Sequence, residues 1–375
     1  MEVEEIERTE GDFQNWTGAG ENPLHHRLSS IEYRPRPDLR KNLDSLFDKA
    51  LKGAPLLPLP NTGNFQNTLE DSVIIKAFKK AIEDNPQLFK GKTVLDLNCG
   101  LCHLSKFCID AGAAHVVAVD SSLIIPYTQQ IIKLNNLDQQ ITVLQGKLKE
   151  VELPIKSFDI VVCEWMGFNL FFDSALEDII YARDHLLSEG GLIMPDRAVM
   201  HIAGIDDSSY IEERTTFWDS VYGYNYKSLK KWQLLEPVID VCPVNLIVTQ
   251  ESSFFDIDLQ TFKMSDLEDR EAVFKLKSLG EVYLNAFVMW FDASFSFGKK
   301  KLTISTSPYY QQTKYKQTIY QTRADIPLNL DNCVDGKIRF KINKDNNKDL
   351  EITMEFAAKN EKSGPTKVSS FFILS

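Results

Sequence analysis

The residues of this chain best suited to hold a small molecule are Asp96, Gly100 and Asp120. Asp96 opens the run Asp96-Leu97-Asn98-Cys99-Gly100-Leu101-Cys102, which lies between an apolar stretch, Thr93–Leu97, and a helical pattern starting at His103. Asp120 closes a second apolar stretch, twenty positions after Gly100. A tight turn opening a helix, with an acid at about that distance, is the layout that binds a nucleoside. Glycine lets the backbone approach the ligand, and the acid accepts from ribose hydroxyls. Here one glycine remains where such turns use two or three. Asn98 tolerates a positive φ, whereas Cys102 puts a side chain where bare backbone is wanted.

The same run, Cys99-Gly100-Leu101-Cys102-His103, also spells a haem-attachment or redox motif. Haem attachment needs export, and the N-terminus (MEVEEIERTEGDFQNW) has no basic region followed by an apolar one. A metal site would need a second ligand pair at suitable spacing, and the sequence offers none, so no metal is expected. The reading is small buried side chains in a strand-to-helix turn. The six cysteines, at 99, 102, 108, 163, 242 and 333, mostly sit in apolar runs, as reduced cysteines of a soluble cytoplasmic protein do.

The elements around the turn alternate. Strands are predicted at Thr93–Leu97, His115–Asp120, Ile141–Gln145 and Phe158–Glu164. Helices are predicted at His103–Ala111, Ile124–Leu134 and Ser174–Leu187, the last closed by a Gly190-Gly191 turn. Wholly apolar strands alternating with helices indicate a doubly wound, Rossmann-like parallel sheet. A short helix over Glu70–Ile82 precedes it. After Pro195 the period becomes two. Ile338, Phe340 and Ile342 alternate with Lys337, Arg339 and Lys341, and Leu350, Ile352, Met354 and Phe356 repeat the pattern after a polar turn. That is an antiparallel hairpin with one buried face, part of a barrel-like β domain. Residues 217–235 (FWDSVYGYNYKSLKKWQLL) interrupt it with aromatic residues, which either pack on their own barrel or meet a partner.

Charge narrows the function. With 42 basic and 53 acidic residues the net charge is -11, the wrong sign for a generic nucleic-acid binder. An acidic surface suits cationic partners such as arginine-rich segments, or serves solubility alone.

The run from Ser157 to Asp196 carries a family resemblance. Cys163-Glu164-Trp165-Met166-Gly167-Phe168, followed by Phe172-Asp173-Ser174, resembles the double-glutamate loop of protein arginine methyltransferases. Gly146–Pro154 (GKLKEVELP), Pro195-Asp196-Arg197 and Asn346–Leu350 (NNKDL) match as well, so the likeness runs from about residue 56 to the C-terminus. It implies a sheet domain that binds S-adenosylmethionine, a β-barrel, and a dimerisation arm inserted in the barrel. The expected layout is a mobile tail over 1–52, a methyltransferase domain over 53–195 and a barrel over 196–375, with the arm at about 211–237. Interface candidates on the arm are Trp218, Tyr222, Tyr224, Tyr226, Leu229 and Trp232.

In the family, two glutamates bind the substrate guanidinium by bidentate hydrogen bonds and aim one nitrogen at the sulfonium methyl. Glu164 fills the first place. Asp173 fills the second, one methylene shorter. The family's Asp-x-Val-Arg-Thr motif, whose arginine binds the donor carboxylate, falls on Asp71-Ser72-Val73-Ile74-Ile75, so that arginine is Ile74. The acid facing the adenine amine falls on Lys149, the Thr-His-Trp loop on Thr313-Lys314-Tyr315, and donor-covering residues upstream on Pro55, Leu59 and Phe65. Glu164, Asp173, Asp96, Gly100 and Asp120 are therefore expected to be vestigial, and Ile74, Asn98, Cys102, Lys149 and Lys314 to be substituted positions. The chain resembles most the inactive, prozyme-type subunits known from the kinetoplastid type I enzyme. That implies a heterodimer or heterotetramer with a catalytic paralogue, no cofactor of its own, and Arg/Gly-rich RNA-binding proteins as substrates of the complex. Two alternatives stand beside it: a divergent active methyltransferase, and a binding module for arginine-rich proteins.

Overall fold

The computed structural model describes residues 69–230, 236–267, 270–298, 301–342, 350–360 and 364–374. The tail over 1–52, Pro55, Leu59, Phe65 and Trp232 lie outside them. Helix α1 (Ser72–Glu83) begins at Asp71, whose Oδ1 accepts from the amides of Val73 (3.1 Å) and Ile74 (3.2 Å). Those are amides that a helix start leaves without partners. Its buried face is Ile74, Ala77, Phe78, Ala81 and Ile82, at the spacing of one helical stripe. Phe78 meets Phe295 of the β domain edge-on at 5.0 Å. A four-residue helix, α2 (Pro86–Phe89), leads into the sheet.

Five strands pair in parallel in the order β3-β2-β1-β4-β5: β1 Thr93–Leu97, β2 His115–Asp120, β3 Ile141–Gln145, β4 Phe158–Cys163 and β5 Leu187–Met194. Between them run α3 (His103–Asp110), α4 (Ile125–Leu134) and α5 (Leu176–His185). Strand β1 is central, and Val94, Leu95, Asp96 and Leu97 are all buried, as a strand covered on both faces requires. One expectation fails. Gly190-Gly191 lies inside β5, where Gly190 takes φ +72° and the register with β4 shifts, and α5 has already ended at His185. Glycine here marks an irregular strand start, not a turn.

The second half is antiparallel. One sheet runs β7-β12-β10-β6-β8 with β11 paired to β10: β6 Arg197–Ile205, β7 Val238–Asp240, β8 Ser252–Asp258, β10 Val282–Phe295, β11 Leu302–Ser305 and β12 Gln317–Leu328. The other runs β15-β14-β13-β9: β9 Glu271–Lys277, β13 Cys333–Ile342, β14 Leu350–Asn360 and β15 Gly364–Leu374. The hairpin register pairs Ile338 with Met354 and Ile342 with Leu350, as the alternation predicts. Phe287 joins the sheets, edge-on to Phe274 (5.7 Å) and Phe356 (4.8 Å). Between β6 and β7, helix α6 (Ser208–Phe217) leaves the sheet with no buried residue.

Candidate functional site

Two adjoining hollows lie at the C-terminal ends of the parallel strands, where a sheet of this kind binds ligands. The larger, about 560 Å³, is lined by Asn98, Gly100, His103, Glu164, Asp173, Lys314 and neighbouring apolar groups. The smaller, about 370 Å³, is lined by Asn98, Asp120, Lys149, Glu177, Asp178 and the 146–150 loop. The structure thus gathers the donor-site and acid-site candidates into one place, with three exceptions. Cys102 is buried in the turn and lines neither hollow. Asp96 is fully buried beneath the turn, and Ile74 is sealed in the core at 1% exposure.

The turn folds as its residues dictate. Asn98, Gly100 and Cys102 take φ of 53°, 50° and 60°. Cys102, in the left-handed region, is the N-cap of α3 and is buried, as is Cys99. A side-chain hydrogen bond to the Cys102 thiol, and then burial, raise the pKa of the Cys99 thiol well above the ordinary thiol range. Both are inert packing groups. The Asp120 carboxylate is spent on backbone: Oδ2 accepts from Gly100 N–H (2.9 Å) and Oδ1 from Ser122 N–H (2.7 Å). Thr128 Oγ1 donates to the Gly100 carbonyl at 2.7 Å. Asp96 Oδ2 accepts from the Ser105 amide (3.0 Å) and hydroxyl (2.6 Å). Its Oδ1 meets no partner among the described residues. Burial pushes this carboxyl up to about 7. His103 is pushed down to about 4 by burial and then by the nearby Lys314 charge, so it is neutral at pH 7.

Across the smaller hollow, Lys149 Nζ lies 2.6 Å from Glu177 Oε1 and 5.3 Å from the Tyr181 ring centroid. The hydrogen bond to Glu177 raises the lysine pKa. In the larger hollow, Glu164 follows β4 in a loop that Gly167 makes possible: a Cβ there would collide with the Phe172 carbonyl. Trp165 is fully buried and donates to the Pro195 carbonyl at 3.1 Å. Glu164 Oε1 is held by Lys314 Nζ (2.7 Å) and the Tyr315 hydroxyl (2.7 Å). Asp173 stands exposed at φ 54°. Sequence reasoning missed the roles of Tyr315, Ser105, Thr128 and Glu177. The signal available for Glu177 was the need of Lys149 for a counter-charge.

On the opposite side of the function question lie the aromatic residues after α6. Tyr222 is 97% exposed and Tyr224 72%, with Phe217, Tyr226 and Leu229 also exposed. Trp218 is half-buried against Phe217 (5.0 Å) and Tyr226 (6.4 Å). The Tyr222 and Tyr224 rings stand in solvent. A second apolar stripe, Tyr127, Ile131 and Leu134, is exposed along α4 at the spacing of one helix face, with Leu123 exposed in the turn before it.

Comparison with known proteins follows the geometry. Residues 94–191 match a family profile described as a methyltransferase domain, and residues 196–361 one described as the arginine methyltransferase oligomerization subdomain. Protein arginine N-methyltransferase 1 of Saccharomyces cerevisiae is 38% identical over 296 residues, 78% of this chain and 85% of that protein. The Schizosaccharomyces pombe protein of the same name is 37% identical over 294 residues, covering 78% and 86%. A solved chain of the Trypanosoma brucei PRMT1 enzyme-prozyme heterotetrameric complex with AdoHcy superposes with a TM-score of 0.80 at 30% identity, over 84% of this chain and 98% of that one. Arabidopsis thaliana protein arginine methyltransferase 10 shares the fold, with a TM-score of 0.73 at 23% identity.

Proposed function

This chain belongs to the protein arginine N-methyltransferase family, and within it we propose that it is a non-catalytic subunit that pairs with a catalytic paralogue and activates it. The observation that carries the reading is Ile74. It occupies the place where the family resemblance puts the arginine for the donor carboxylate, and it is a core residue, 1% exposed. The rest of the donor site does not fit S-adenosylmethionine either. Lys149, where an adenine acceptor is wanted, is a donor locked to Glu177 at 2.6 Å and cannot accept a hydrogen bond. Each oxygen of Asp120 already accepts from one backbone amide, which leaves only its remaining lone pairs for a ribose. The Cys102 side chain fills the turn. A hydrogen bond to a charged group contributes roughly 1.5–3 kcal/mol. Losing the carboxylate and adenine contacts together therefore weakens binding by roughly two to four orders of magnitude.

The partner side of the proposal rests on the exposed surfaces. We assign the arm to α6 and the residues after it, within about 211–237, and its docking surface on the other subunit to the α4 stripe. The T. brucei complex, an enzyme-prozyme heterotetramer, is the precedent for such an assembly, as heterodimer or heterotetramer. Arg/Gly-rich RNA-binding proteins are the substrates of the complex in this reading. The cytoplasm is its place: all six cysteines are free, and five of them are buried. No helix among the described residues is long and apolar enough to cross a membrane. The divergent-enzyme reading keeps one support, Glu164 and Asp173 standing on the wall of one hollow.

The test is calorimetric titration of the purified chain with S-adenosylmethionine, with melting followed in parallel, since a ligand that binds only the folded state raises the midpoint. The expected result is neither heat nor shift at millimolar donor, together with a rise in the paralogue's methylation rate when this chain is added. Micromolar donor binding would give the enzyme reading first place. An indifferent paralogue would remove the activator role.

A further inference from the structure

Glu164, the first of the two acids, is already answered from within the chain. Lys314 Nζ lies 2.7 Å from its Oε1, and the Tyr315 hydroxyl donates to the same oxygen at 2.7 Å. This is the least exposed lysine–carboxylate pair among the described residues, with side-chain exposures of 29% and 13%. The surface lysine pairs expose 31% or more of the lysine, and are worth little because water competes with them. The Lys314 pair is sheltered from that competition.

The lysine is also aimed. Its backbone N–H donates to Asp71 Oδ2 at 2.6 Å, while Asp71 Oδ1 caps α1. Gln311 reaches Ser72 Oγ at 3.3 Å. On the other flank the buried Tyr315 ring is wedged edge-on between Phe291 (5.3 Å) and Phe168 (6.3 Å). The loop before β12 is thus pinned to α1 and to the acid loop, and the lysine between those pins extends to Glu164. Tyr315 stays a donor, because burial and then the Glu164 charge hold its hydroxyl protonated far above neutrality.

From this geometry we infer that Lys314 is a tethered cation that occupies the acid site and makes the chain blind to arginine side chains. A guanidinium binds a carboxylate best through two parallel hydrogen bonds. Here one oxygen carries two donors, and the ammonium fills the space beside it. An incoming arginine must displace a cation whose effective concentration, fixed by its own backbone, is millimolar or more. Lys314 therefore sets specificity by self-occupancy. The inference is independent of the donor reading, because it concerns the acid half of the site and is tested without donor.

The experiment is a calorimetric or fluorescence titration of the full-length chain, without S-adenosylmethionine, with a short Arg/Gly-repeat peptide. The same peptide with citrulline for arginine is the neutral control. Lys314→Met keeps the stem and removes the charge; Lys314→Gln is the second variant should the first fold poorly, and melting verifies both. The expected result is at least tenfold tighter binding of the arginine peptide by the variant than by the native chain. That is the gain expected when one charge-assisted contact is released to a ligand, roughly 10- to 100-fold. The gain is lost for the citrulline peptide and in the double variant with Glu164→Gln. Equal binding by native and variant chains overturns the inference. So does a gain that survives citrulline or Glu164→Gln. A native chain that binds donor but fails to gain peptide binding on losing Lys314 would sink both readings separately, since the two titrations share no ligand.

Discussion

Replacing Asp96 by asparagine should stabilise the protein more at pH 8 than at pH 5. Asp96 is fully buried. One oxygen accepts twice from Ser105, and the other meets no partner among the described residues. Burial raises the carboxyl from 3.8 to about 7, against the opposing hydrogen bonds from Ser105 and with a smaller push from Asp120. The sign follows from proton counting. Between pH 4 and 7 the folded chain keeps a proton that the unfolded chain releases, so stability falls as pH rises across that window and is flat above it. At about 1.36 kcal/mol per pH unit the full loss is at most about 4 kcal/mol. Asparagine has the same shape, keeps an oxygen for Ser105 and carries no titrating group, so it escapes that loss. His103 works the other way. Its value is lowered from 6.5 to about 4, so its contribution is full above 6.5 and is lost as pH falls toward 4. Because the native and substituted chains share His103, their difference isolates Asp96. Urea melts of both proteins from pH 5 to 8 provide the assay. A stability difference that does not change with pH would refute the buried, protonated carboxyl.

Two further outcomes are expected. Gly167→Ala drives a methyl into the Phe172 carbonyl and within 2.9 Å of Ser174 N and Asp173 C, so it should cost about 1–3 kcal/mol in urea unfolding and shift Asp173. Tyr222→Ser with Tyr224→Ser removes rings that are 97% and 72% exposed. Stability should move by no more than about 0.5 kcal/mol, while co-elution with the catalytic paralogue on size exclusion should be lost. Retained co-elution would remove the arm from the interface.

Much of this was legible in the sequence because periodicity reports burial directly. The fully apolar strands gave a parallel sheet, and the alternation of Lys337–Ile342 with Leu350–Phe356 gave the hairpin in its observed register. Gly190-Gly191 misled because glycine marks an irregular strand as readily as a turn, and only strand pairing distinguishes them. The site was legible as a set of positions, not as contacts. Spacing placed Glu164 and Asp173 together, but no pattern in the chain announces that Lys314, 150 positions after Glu164, would turn its ammonium onto that acid. Nor could sequence decide whether the aromatic residues after α6 pack inward. That depends on whether the surrounding sheets leave room, and among the described residues Tyr222 and Tyr224 stand in solvent.

The pattern of what is kept bears on the enzyme alternative. The acids that still match the family motif each have a second task in the fold. Asp120 ties Gly100 and Ser122 to the strand end, Asp96 fixes Ser105 at the start of α3, and Glu164 anchors the barrel loop through Tyr315 and Lys314. Removing any of them would leave buried donors without acceptors, at about 1–3 kcal/mol each. Among the positions that depart from the motif, 74 and 149 are two whose assigned task concerns the ligand alone. At 74 an isoleucine adds to the core, and at 149 a lysine makes a half-exposed ion pair worth little to stability. Folding by itself therefore accounts for Asp96, Asp120 and Glu164, and the presence of those three does not argue for catalysis. Position 74 is packed in the core and position 149 stands in a half-exposed ion pair, and neither carries the group that the family resemblance places there.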